Sequence, residues 1–112
     1  QNPLTNYPRY NLVAVGQEAY RIEMALPGWS KDDIEIKQHK NKLTIEGTQK
    51  QELDSDEERY IHKGLSGKTF SRVFTLGDWV EVSDAGFKNG MLVINLQVNT
   101  PEENKPKTIT IG

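Results

Sequence analysis

Cysteine is absent from the 112 residues, which excludes disulfides, zinc–thiolate sites and thiol catalysis. A cytoplasmic home is compatible with that absence. Apolar material is modest: hydrophobic residues make up 35% and aromatics 8% of the chain. One domain with one core fits this length, and the shortfall favours burial shared between subunits. No apolar run approaches membrane-spanning length and nothing reads as a signal peptide, so no membrane partner is expected. Neither sign of charge dominates, with 14 basic and 16 acidic residues giving a formal net charge of −2. Lys and Arg do not cluster either, which leaves no electrostatic footprint for nucleic acid. The chain opens on Gln1 rather than Met, which points to a natural N-terminal segment upstream.

What is present is alternation of period two, in short runs. Tyr20, Ile22, Met24 and Leu26 share one side of a strand, with Arg21, Glu23 and Ala25 on the other. Ile34 and Ile36 alternate with Glu35 and Lys37, and Leu43 and Ile45 with Lys42, Thr44 and Glu46. Phe70, Phe74 and Leu76 share a face, as do Val80 and Val82; Leu92, Ile94, Leu96 and Val98 make the longest stripe. Pro27-Gly28, Lys40-Asn41 and Asn89-Gly90 punctuate these runs, and Asn-Gly is the strongest hairpin signal because a type I′ turn needs two residues of positive φ. Seven or eight short strands without a useful amphipathic helix predict an all-β antiparallel sandwich. The tyrosine corner and Cys-Trp-Cys marks of an immunoglobulin domain are missing.

Three stretches fall outside this body. Residues 1–8, with Pro3 and Pro8, read as an irregular arm before a first strand, Tyr10 to Val15. Residues 49–59 are a polar excursion with five acids (Glu52, Asp54, Asp56, Glu57, Glu58) against two bases (Lys50, Arg59), after which Tyr60-Ile61-His62 regains strand-like composition. A loop of that length is long for a compact sandwich and points to function. Residues 99–107, with Pro101 and Pro106, form a stiffened linker, beyond which the chain turns apolar at Ile109 and Ile111. The two isoleucines flank Thr110 and so lie on one side of an extended strand. Such a tail either completes its own sheet or docks on a neighbour. The proline-bearing linker speaks against a tight hairpin return, and burying each Ile is worth roughly 1.5–3 kcal/mol.

Arg72 alternates into the face of Phe70, Phe74 and Leu76. A guanidinium there needs a carboxylate or carbonyls to receive it, unless the face is an exposed edge along which it snorkels. An acid from the 49–59 excursion, across a dimer interface, is the sharper expectation. Chemistry-bearing sets are lacking. His39 and His62 have no partner at ligand spacing, and Asp54-Ser55-Asp56-Glu57-Glu58 lacks the EF-hand spacing, glycine and distal Glu. Gly64-Leu65-Ser66-Gly67-Lys68 fails the phosphate-loop spacing and leads into a strand, and no serine sits in a nucleophile elbow. No catalytic residue, cofactor or metal is therefore expected, and the chain does not read as an enzyme.

Six motifs stand in order: Ala25-Leu26-Pro27-Gly28-Trp29; Asp33-Ile34; Leu43-Thr44-Ile45-Glu46-Gly47; Phe70-Ser71-Arg72-Val73-Phe74; Ala85-Gly86-Phe87-Lys88-Asn89-Gly90-Met91-Leu92; and Lys105-Pro106-Lys107-Thr108-Ile109-Thr110-Ile111. Each is weak alone. Together, from about Tyr10 to Ile111, they resemble the α-crystallin domain of small heat-shock proteins, of the bacterial and plant-like Hsp20 type. The resemblance implies an immunoglobulin-like antiparallel β-sandwich with a strand-bearing loop exchanged between protomers. It divides the chain into an arm (1–9), an α-crystallin domain (10–98) and a C-terminal extension with an I-x-I motif (99–112).

The activity implied is that of an ATP-independent chaperone, a holdase that keeps partly unfolded client proteins soluble and associates with itself as a homodimer and in higher oligomers. The implied dimer interface joins Glu58, Tyr60, Ile61 and His62 of one subunit to Tyr10, Leu12 and Val13 of another, with Arg72 nearby. The implied tail is Ile109-Thr110-Ile111, entering a groove walled by Ile34 and Ile36 on one side and Ala85 and Phe87 on the other. The alternative is a monomeric co-chaperone adaptor of the Hsp90-partner type. Departures from the family pattern are His62-Lys63-Gly64, where a Glu usually precedes the turn, Gly77 in place of a proline, and only residues 1–9 ahead of the first strand. The last implies reduced chaperone activity and a small oligomer.

Overall fold

The structure, a computed structural model, describes residues 6–49, 55–62 and 69–112. Residues 1–5 of the arm, 50–54 of the acidic excursion and 63–68, which include the Gly64–Lys68 segment, lie outside the described residues. Among the described residues there are seven strands: β1 (Tyr10–Val15), β2 (Ala19–Ala25), β3 (Ile34–His39), β4 (Lys42–Thr48), β5 (Thr69–Thr75), β6 (Val80–Lys88) and β7 (Met91–Val98). All pairings are antiparallel, in a four-stranded sheet of order β1-β2-β7-β6 and a three-stranded sheet of order β3-β4-β5. No helix among these residues is long and apolar enough to cross a membrane.

The stripes read from the sequence build the core. Ile22, Met24 and Leu26 from β2 and its end meet Leu43 and Ile45 from β4, with Leu92, Ile94 and Leu96 from β7 beside them. The Asn89-Gly90 turn has φ of 54° and 76°, the double positive φ that a two-residue type I′ hairpin requires. Gly47 is needed for close approach: a Cβ there would fall within the Phe70 ring that lies against it.

The arm is more integral than the sequence suggests. Pro8 is fully buried, and the Trp29 indole N–H donates to the Tyr7 hydroxyl at 2.7 Å. Phe70 stands edge-on to both Trp29 and Tyr7, with ring centroids 5.1 and 6.1 Å away. Tyr7 and Pro8 therefore close one end of the sandwich, although nothing in their local composition signals this.

Candidate functional site

Two sheets of unequal width leave two open sides. On one side the edge strands β3 and β6 face each other; on the other, β1 overhangs β5.

The residues expected to wall the groove lie on the first side. Ile34 and Ile36 pair with Gly47 and Ile45, both buried, so their side chains face inward, and both are half-buried against the core. Opposite them β6 carries an irregularity between Val82 and Asp84. Strict alternation would put Ala85 and Phe87 on the face opposite to Val80 and Val82. The extra residue at the bulge shifts the phase, so that Ala85 pairs with Ile94 and Phe87 with Leu92, facing inward with the valines. Phe87 is half-buried, yet Ala85 is exposed although its cross-strand partner Ile94 is fully buried. The sandwich is uncovered at that point, which leaves an apolar slot between Ile34/Ile36 and Ala85/Phe87.

The other end of the slot is shut by a residue that the sequence reading passed over. Gln38 is in phase with Ile34 and Ile36, and its amide spans the two sheets. Nε2 donates to the Val80 carbonyl at 2.9 Å and to the Lys40 carbonyl at 3.3 Å, while Oε1 accepts from the Val82 N–H at 3.1 Å. A polar residue on an apolar stripe was the signal that could have found it.

The tail Ile109-Thr110-Ile111 forms no strand, and its isoleucines are 83% and 94% exposed. It leaves β7 at Val98, which pairs with Val80, so it emerges at the Gln38 end of the groove. The open end, at Phe87 and Leu92, lies six residues back along β7, roughly 20 Å away.

On the second side, β1 has one neighbour, β2, among the described residues, and lies at the edge of its sheet. Leu12 pairs with fully buried Ile22 and so faces inward, yet it is 62% exposed because the narrower sheet does not extend over it. Tyr10 is covered in part by Phe74, edge-on at 5.0 Å, and Val13 is half-buried. Arg72 is half-buried on the inner face, as its alternation predicts. Its receivers are the Pro8 carbonyl, 3.3 Å from Nε, and the Tyr10 ring, 5.1 Å from the guanidinium carbon. Among the described residues, a carbonyl and an aromatic face are what this charge meets within its own chain. A cleft of about 380 Å³ runs beside it, lined by Arg9, Tyr10, Glu23, Arg72 and Met91. Glu23, in that lining, is held below its ordinary value by hydrogen bonds from Asn11 and then Arg21.

In the segment expected to exchange, residues 58–62 adopt no regular strand. Ser55 accepts from the Glu58 N–H at 3.0 Å in a short turn, and Tyr60, Ile61 and His62 follow without a ladder. Ile61 is 96% exposed.

This arrangement is shared with known proteins. The model of the Hsp20/alpha crystallin family matches residues 13–112. The small heat shock protein HspD of Bradyrhizobium diazoefficiens is 40% identical over 107 residues, 96% of this chain and 69% of that protein. Among solved structures, a small heat shock protein from Synechococcus phage S-ShM2 is 45% identical with a TM-score of 0.71, covering 94% of this chain and 99% of that one. A C-terminally truncated form of small heat shock protein AgsA from Salmonella typhimurium is 29% identical with a TM-score of 0.73, covering 93% of this chain and 98% of that one. With its seven antiparallel strands, its motifs and these relatives in agreement, the chain belongs to the Hsp20/alpha crystallin family, the small heat shock proteins, whose work is that of a non-enzymatic chaperone.

Proposed function

We propose that this chain is an ATP-independent holdase that binds apolar segments of partly unfolded proteins in the cytoplasm and assembles through two contacts. In the first, Glu58–His62 of one subunit adds to the free edge of β1 in another, where Tyr10, Leu12 and Val13 lie. In the second, Ile109 and Ile111 enter the slot between Ile34/Ile36 and Ala85/Phe87 of a neighbour. The observation that carries this reading is the pairing of an unfilled apolar slot with an exposed two-isoleucine tail on the same chain. Two exposed isoleucines forgo roughly 3–6 kcal/mol of burial, a strong incentive for docking. Because the tail leaves at the closed end of its own slot, a neighbour's slot is the easier target. Exchange of either contact uncovers apolar surface at Leu12, Ile61 and the slot, and such surface binds apolar client segments without any nucleotide.

The test is a client-aggregation assay by light scattering. A heat-labile client mixed with equimolar chain and no ATP is expected to scatter at less than about half the level of client alone. Scattering equal to that of client alone, over a range of chain concentrations, would refute the holdase reading.

A further inference from the structure

The Gln38 bridge bears on what the groove accepts. Val80 C=O and Val82 N–H point away from β7, toward the open side of β6, where an added strand would pair. Both are already taken by the two ends of one side-chain amide. Gln38 thus stands in for a peptide unit of a neighbouring strand, and the next position along β6 is the bulge before Asp84. Only the stretch from the bulge to Phe87, facing Ile34 and Ile36, is left for an incoming segment. Ile34 and Ile36 are two residues apart, roughly 7 Å, which is also the spacing of Ile109 and Ile111.

We propose that Gln38 is a length- and register-determining latch: it confines docking to an extended segment with two same-face apolar side chains, the tail of a second copy of this chain. A longer apolar segment has to displace the amide before its third side chain can seat. The latch also stands where the tail leaves β7, so it bars a subunit's own tail from the near end of its slot. This inference rests on the docking of the tail in the slot proposed above, and deepens it.

The experiment uses the full chain carrying Ile109→Ala and Ile111→Ala, so that no internal tail competes. Binding of three peptides is measured: Lys105–Gly112, and the same peptide with Val-Thr inserted before Ile109 or Thr-Val inserted after Ile111, so that the apolar alternation is longer by one side chain at either end. With Gln38 in place, neither longer peptide should bind more tightly than the octapeptide. With Gln38→Ala, one of them, the one whose extension runs past Val82, should gain about tenfold, the octapeptide changing by less than about threefold. Gln38→Glu, which keeps the length but cannot donate to Val80, should behave like Gln38→Ala. Amide hydrogen exchange at Val82 should quicken in both variants with no peptide present. A longer peptide that already gains with Gln38 present, or no length dependence in either variant, would overturn the length rule. Unchanged exchange at Val82 would remove the latch alone, whereas failure of every peptide to bind would remove the docking reading and the length rule with it.

Discussion

Arg72 brings a charge onto a face made of Phe70, Phe74 and Ile45, and the fold receives it with the Pro8 carbonyl and the Tyr10 ring. One charge-assisted bond and one ring contact, half-shielded from water, tie β5 to the N-terminal arm and β1. Arg72→Ala should therefore lower the unfolding free energy by about 1–3 kcal/mol in a urea titration. Arg72→Lys should recover only part, because an ammonium has no plane to lay on Tyr10. Equal stability of Arg72→Ala and the native chain would mean that the side chain merely lies along the surface. Alternation was enough to place Arg72 on the inner face. Its receiver was not legible, because Pro8 is 64 residues away and a backbone carbonyl has no sequence signature. The same holds for Tyr7, whose hydroxyl meets Trp29 across 22 residues.

At the scale of elements, period-two patterning and turn chemistry located six of the seven strands of the described residues to within a residue or two, and only the start of β6, Val80 to Val82. The phase of β6 was less legible. Val80/Val82 and Ala85/Phe87 look like opposite faces until the bulge brings them onto one, and a bulge is a pairing event between β6 and β7 that composition does not announce. Family resemblance, not periodicity, supplied Ala85 and Phe87 as a groove wall, and Gln38 went unnoticed because its partners lie 42 and 44 residues along the chain. The Glu58–His62 segment shows the limit in the other direction: its composition is strand-like, but these residues adopt no strand in the single chain. Under the proposed strand exchange the intact chain runs as a dimer at micromolar concentration in size-exclusion chromatography with light scattering, and deletion of Glu58–His62 should leave a monomer. A deletion variant that keeps the dimer mass would place the interface elsewhere.

As a whole molecule the chain is drawn out, 85 × 31 × 23 Å, with a radius of gyration of 19.6 Å. A compact domain of this length has a radius near 13–14 Å, so the projecting segments account for much of the difference. The tail's isoleucines are exposed, and the chain leaves β7 at the end of the groove that Gln38 closes. The proposed docking sends them to another subunit's groove. The absence of cysteine from the chain allows this to be tested directly with single introduced thiols. One chain carries Gly86→Cys, on the face of β6 away from the isoleucines and with open space for a side chain, and a second carries Thr110→Cys, which alternates to the same side; the two are mixed and oxidised under native conditions. The account predicts a disulfide-linked pair of unlike chains on a non-reducing gel, lost when Ile109→Ala and Ile111→Ala are added to the second chain. No such pair, or a pair that persists when both isoleucines are gone, would contradict the docking of the tail in a neighbour's groove.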